Sequence, residues 1–216
     1  MQAENVNLQH FMAPHDKRYS HVHRSNPMYV NHLYVGVPTW QPWLAALLAV
    51  GGQIIMLLCN EQINHHLPIS LKAAFALSHI LKTIGEGMLL FYLMKGMEVL
   101  QRNPRTAIIS TISLLLMYHL VALFVVLKGY GYVSYTFMLT IYVAFLLMYS
   151  YLGLHISYWY YGKFPIAGYL LTSYLACSLV FNLFLGWTGT NLRADAISSL
   201  LAIAYFVYMR TRITNR

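Results

Sequence analysis

Apolar residues along this chain fall in long unbroken runs, such as "WLAALLAVGGQIIMLLC", with neither the period of two of half-buried strands nor the narrow stripe of a surface helix. Six runs predict helices, near 41–59, 72–97, 107–127, 133–158, 166–187 and 194–210. Each approaches the length needed to cross a hydrocarbon core about 30 Å thick. The turns between them are short and polar, "QRNPRT" and "YYGKFP" among them, so consecutive helices should be antiparallel neighbours. Backbone polar groups in lipid must be satisfied internally, and the dyad alternation of barrel strands is absent. The expected fold is therefore all-α, a polytopic membrane bundle of about six helices.

The first 38 residues break this pattern. They are polar and basic, with Lys17, Arg18 and Arg24, and histidine-rich, with His10, His15, His21, His23 and His32. The histidine spacings match no common metal motif, so residues 1–38 are expected as a tail and residues 39–216 as the transmembrane domain. "VPTWQPW" joins the two. Its prolines suit a helix entry, and Trp40 and Trp43 suit the aromatic belt at a membrane interface.

Composition agrees with the pattern. The chain is 58% hydrophobic and 9% charged, against roughly 25% charged in soluble domains. Two cysteines, Cys59 and Cys177, supply neither a disulfide framework nor a four-cysteine zinc site, and read as small packing residues. The net charge of +8 would otherwise suggest nucleic acid. In a membrane protein it points to anionic headgroups, and no nucleic-acid partner is expected.

The charges also orient the bundle. With the tail inside, the inner segments hold Lys17, Arg18, Arg24, Lys95, Arg102, Arg105, Lys163, Arg210, Arg212 and Arg216, and the outer ones hold Lys72, Lys128 and Arg193. Basic residues collect on the cytoplasmic side, so both termini are expected there. "LLFYLMKGMEVLQRNPRTAI" and "MYSYLGLHISYWYYGKFPIAGY" echo each other loosely, in the same orientation, and the inverted repeats common in transporters are not visible.

The second run, "SHILKTIGEGMLLFYLMKG", carries the candidate chemistry: His79, Lys82 and Glu86. A charge at the bilayer centre costs at least ~2.5–3.5 kcal/mol, so such residues are functional suspects. Lys82 and Glu86 lie one turn apart and share a helix face, which His79 extends. This stripe reads either as a neutralised pair that fixes packing, with the lysine free to snorkel, or as a solute or proton path. Gly85 and Gly87 flank the carboxylate and suit close helix packing, or alternatively a local unwinding beside an ion site. In the third run, His119 falls at about the same depth as His79, both ~12–14 Å below the outer surface. The two read as a hydrogen-bonded polar pair or as ligands to a metal or haem iron.

Further candidates lie towards the outside: Glu61, His65 and His66 in "NEQINHHLP", with Asn182 and Asp195 near the outer ends of the last two helices. Asp195 reads as a cap of the final helix, a partner of Arg193, or part of an outer mouth. His155, among "SYWYY", reads as an interfacial anchor. No nucleophile elbow, zinc-protease motif or phosphate loop is present, so no catalytic residue is assigned. The expected function is transport or channel-like conduction through the polar site without a cofactor. The alternatives are an accessory subunit or interaction protein of a larger membrane complex, and an electron-transfer subunit binding haem b through His79 and His119. Partners are expected to be the lipid bilayer and either another membrane protein or a second copy of the chain.

The last part of the chain, about 153–216, carries a basic turn ending in Phe164-Pro165 and a final helix that passes through Tyr205-Phe206 to Arg210 and Arg212. In these features it resembles an uncharacterised bacterial inner-membrane family. The chain departs from that family in lacking a terminal Phe and in having six predicted spans where the family has four. The resemblance implies an inner (plasma) membrane location.

Overall fold

In the computed structural model, residues 28–60, 69–98, 100, 104–128, 135–180 and 192–214 are described. Six helices lie among them: α1 Trp40–Asn60, α2 Ile69–Met97, α3 Arg105–Lys128, α4 Tyr135–Trp159, α5 Pro165–Val180 and α6 Leu192–Arg212. Their bounds follow the apolar runs to within about three residues wherever both helix ends are described. Proline sets three of the starts. Pro38 and Pro104 offer their carbonyls to the amides of Gln41 and Ile108, and Pro165 opens α5, where a missing amide hydrogen costs nothing.

Among the described residues, four helices are long and apolar enough to cross a membrane: Trp40–Cys59, Lys72–Met97, Arg105–Val125 and Thr136–Trp159. The chain is accordingly a multi-pass integral membrane protein. Its outward face agrees. Leu47, Leu58, Leu120 and Leu200 are each more than 60% exposed, a surface that water would not tolerate and lipid tails satisfy.

Each helix packs on its chain neighbours, and α6 returns to α1, so the six close into a ring. The α1–α2 seam is the most extensive. A Cβ on Gly85 would collide with the backbone of Ala49 and Ala45, and one on Gly52 would lie 2.6 Å from the Lys82 amide nitrogen. Small residues on both helices thus bring the two backbones into contact, as lipid-embedded seams require. Gly87 faces open space, and α2 runs unbroken through Gly85, Glu86 and Gly87. The alternative of a local unwinding there is therefore corrected: packing accounts for Gly85, and no helix break accompanies Gly87.

The interior divides along α2. From Leu89 to Met97 its buried residues are mainly apolar (Leu89, Leu90, Leu93 and Met97, with Tyr92), joined by Phe164 from the turn before α5 and by Phe206 and Met209 from α6. From Ser78 to Glu86 they include Ser78, His79, Lys82 and Glu86.

The end of the segment expected as a tail is folded. Residues 28–35 form a strap across the apolar end of the ring, with strands β1 Met28–Tyr29 and β2 Leu33–Tyr34. β1 pairs in parallel with β3 Tyr160–Tyr161, and β2 with β4 Ile213–Thr214. Val30, Leu33 and Val35 are buried, and Leu33 fills the space beside Gly96. Between β3 and α5 the chain turns at Gly162, whose φ of 102° is the left-handed region that other residues resist.

Candidate functional site

Glu86 lies at the centre of the ring with no solvent exposure. Neither carboxylate oxygen has a hydrogen-bond partner among the described residues. Its nearest countercharge is the Lys82 ammonium, 3.9 Å from Oε1. That is ion-pair range but too long for a hydrogen bond. Lys82 is itself buried, so it does not snorkel. Its Nζ donates to the Tyr174 hydroxyl at 3.3 Å and lies 5.7 Å from that ring's centroid.

Three tyrosines complete the surroundings. Tyr149 from α4, Tyr174 from α5 and Tyr205 from α6 are buried and within electrostatic reach of the Glu86 carboxylate. The rings of Tyr149 and Tyr205 meet edge to face, with centroids 6.3 Å apart. At the α1–α6 closure Gln53 donates to Ser199 at 2.9 Å, leaving the Gln53 carbonyl oxygen buried and unpartnered. Buried and without a partner among the described residues are therefore both Glu86 oxygens, the Tyr149 hydroxyl and the Gln53 carbonyl oxygen. Unpaired buried polar groups cost ~1–3 kcal/mol each, a burden that a purely structural core has no reason to keep.

About one turn before Lys82 on α2, the Nδ1 atoms of His79 and His119 approach to 2.7 Å, and the rings meet edge to face. Both residues are buried. The structure thus brings His79 and His119 into contact. Metal ligation by this pair does not fit. Nitrogens on opposite sides of one haem iron stand about 4 Å apart, and two on a tetrahedral ion about 3.3 Å apart, given metal–nitrogen bonds of roughly 2.0–2.1 Å. At 2.7 Å the two nitrogens share a proton instead, and edge-to-face rings leave no slot for a porphyrin. Among the described residues no group of three or more His, Cys, Asp or Glu could hold a metal ion.

Glu61, His65, His66 and Asn182 lie outside the described residues, as does the side chain of Asp195. By position Asp195 belongs to the first turn of α6, which starts at Leu192, and is therefore not its cap. His155 is half-buried among the rings of Tyr151, Trp159 and Tyr160, near the strap end. Trp43 is exposed and carries the Arg210 guanidinium 4.3 Å from its ring centroid.

Tyr149, Tyr174, Tyr205 and Gln53 were not among the sequence candidates. Their one available signal was depth, since each falls well inside an apolar run and away from the interfaces where tyrosine usually sits.

No protein-family model, curated protein or solved structure matches this chain. The function therefore has to be argued from the chamber itself.

Proposed function

We propose that this protein is a small transporter or channel-like protein whose substrate site is the Glu86 chamber. One observation carries the reading: an unexposed carboxylate without a hydrogen-bond partner among the described residues, at the centre of a closed helical ring. A packing device would be expected to satisfy its own acceptors, whereas a binding site keeps them for a ligand. In this reading all six helices span the bilayer, both termini are cytoplasmic, and the membrane is a bacterial inner membrane. Support comes from the basic residues Lys95, Arg105, Lys163, Arg210 and Arg212, which stand at the strap end of their helices or in its turns.

The test is flux. Purified protein in liposomes should dissipate an imposed ion or pH gradient, and Glu86→Gln should abolish this while remaining monodisperse. Vesicles that hold every imposed gradient as tightly as protein-free ones would end the transport reading. Topology is read separately, by reporter fusions in the 61–68 segment and after residue 214, which should give opposite signals.

A further inference from the structure

The His79–His119 contact lies outside the immediate surroundings of Glu86 and calls for its own account. Two neutral imidazoles joined Nδ1 to Nδ1 at 2.7 Å must hold opposite tautomers, one donating and the other accepting. One ring then has a bare Nε2 and the other an Nε2–H. Such a pair does more than fill space. It takes a proton at the bare Nε2, hands its own Nδ1–H across the contact, and releases the Nε2–H of the second ring.

The surroundings fit that use. His79 Nε2 is buried and unpartnered among the described residues. Lys82 follows His79 by three positions on the same face of α2 and lies within electrostatic reach of both imidazoles. Glu86 is one turn further, 3.9 Å from the Lys82 ammonium. The pair sits about ten residues, or ~15 Å, from the end of the bundle where α2 begins and α3 ends. Beyond Glu86 the way to the strap end is filled by Leu89, Leu93 and Met97.

We propose that His79 and His119 form a proton relay that loads Glu86 from the end of the bundle opposite the strap. The proposal rests on the transport reading and names the proton as a species the chamber handles. A proton arriving at His119 Nε2 moves the His119 Nδ1 proton to His79 Nδ1, and His79 then gives up its Nε2 proton. The Lys82 side chain closes the 3.9 Å gap to Glu86 Oε1, passes it one of its own protons, and swings back to recover one from His79 Nε2. One proton has entered, Glu86 is neutral, and Lys82 is again an ammonium held by Tyr174. The histidines are left with reversed tautomers and reset before the next transfer. The groups facing Glu86 are Lys82 on its own helix, Tyr149 from α4, Tyr174 from α5 and Tyr205 from α6. From α1, Gly52 packs on Lys82, and α3 contributes His119.

The experiment is a pH jump on purified protein, followed by time-resolved infrared absorption of the protonated carboxyl band, assigned to Glu86 by its loss in Glu86→Gln. His119→Asn keeps a hydrogen-bonding side chain beside His79 but cannot carry a second proton. It should slow the rise of the band by about 100-fold or more, the scale of a lost proton-transfer group. Wild-type protein in heavy water should slow by more than solvent viscosity explains, a readout that needs no variant to fold. A wild-type rate in His119→Asn together with no isotope effect overturns the relay, as does a carboxyl band that never forms. Gradients held in vesicles despite a histidine-dependent carboxyl band would refute transport and leave the relay. Flux with histidine-independent protonation would do the reverse.

Discussion

The Lys82–Glu86 pair gives the sharpest quantitative test. At 3.9 Å and an effective dielectric near 20, the two charges attract by about 4 kcal/mol. Neither keeps a hydration shell to fall back on, because the side chains are 8% and 0% exposed. Removing one partner from a buried pair strands the other, at a cost of ~3–5 kcal/mol. For a chain of this size each kcal/mol moves the midpoint by about 2–4 °C, so each single variant should melt roughly 6–20 °C lower. Lys82→Met and Glu86→Gln supply the single variants. In the double variant no charge is left orphaned, and it should be more stable than either single one. A second sign separates the two. The carboxylate stranded by Lys82→Met can be neutralised by a proton, so that penalty should shrink as pH falls. Glu86→Gln leaves no carboxylate to neutralise. The assay is thermal unfolding in detergent, followed by size exclusion or intrinsic fluorescence. Single variants that melt like wild type, or a double variant worse than both, would refute the pairing.

Neighbouring glycines should respond with opposite signs in the same assay: Gly85→Ala drives a methyl into the α1 backbone and should destabilise by ~1–3 kcal/mol, whereas Gly87→Ala meets open space and should gain up to ~1 kcal/mol. At Gly162, alanine would hold a strained φ of 102° with its Cβ 2.9 Å from the Asn31 Oδ1 and the Val30 carbonyl, so Gly162→Ala should cost ~1–3 kcal/mol and expose residues 28–35 to protease. His32 in the strap should sense pH. Burial first, then the charges of Arg212 and Lys163, hold its imidazole below the ordinary 6.5. The unfolded strap therefore takes up a proton at a higher pH than the folded one, and its stability, full above 6.5, is lost as pH falls through the lower folded value. Hydrogen exchange at the Val30 and Val35 amides, which bond to the Tyr161 and Thr214 carbonyls, should accelerate on the acid side beyond the intrinsic rate, and His32→Gln should flatten that dependence.

The helices were legible because lipid imposes a length and an apolar make-up on every run, while Pro104 and Pro165 punctuate the turns that follow. The i, i+4 spacing of Lys82 and Glu86 was legible for the same local reason. His79 and His119 could be matched only by depth on adjacent antiparallel helices, which places them at one level without aiming one ring at the other. The tyrosines were hidden by number: with 18 in the chain, those that anchor at an interface and those that face Glu86 look alike until the ring closes. The strap was least visible. Its two-residue strands have no period to detect, and their partners lie far along the chain.

That separation bears on how the protein is made. The Leu33 carbonyl and the Thr214 hydroxyl that meet across β2 and β4 are 181 residues apart. On the ribosome β1 and β2 emerge before α1, yet β2 does not meet β4 until α6 has been synthesised. Val30 and Leu33 meet earlier partners at Tyr161 and Gly96, whereas the Val35 amide waits for the Thr214 carbonyl. Contacts between such distant residues form late, since the intervening chain must be ordered first. The β2 end of the strap therefore docks late, after α6 has been made and can lie beside α1.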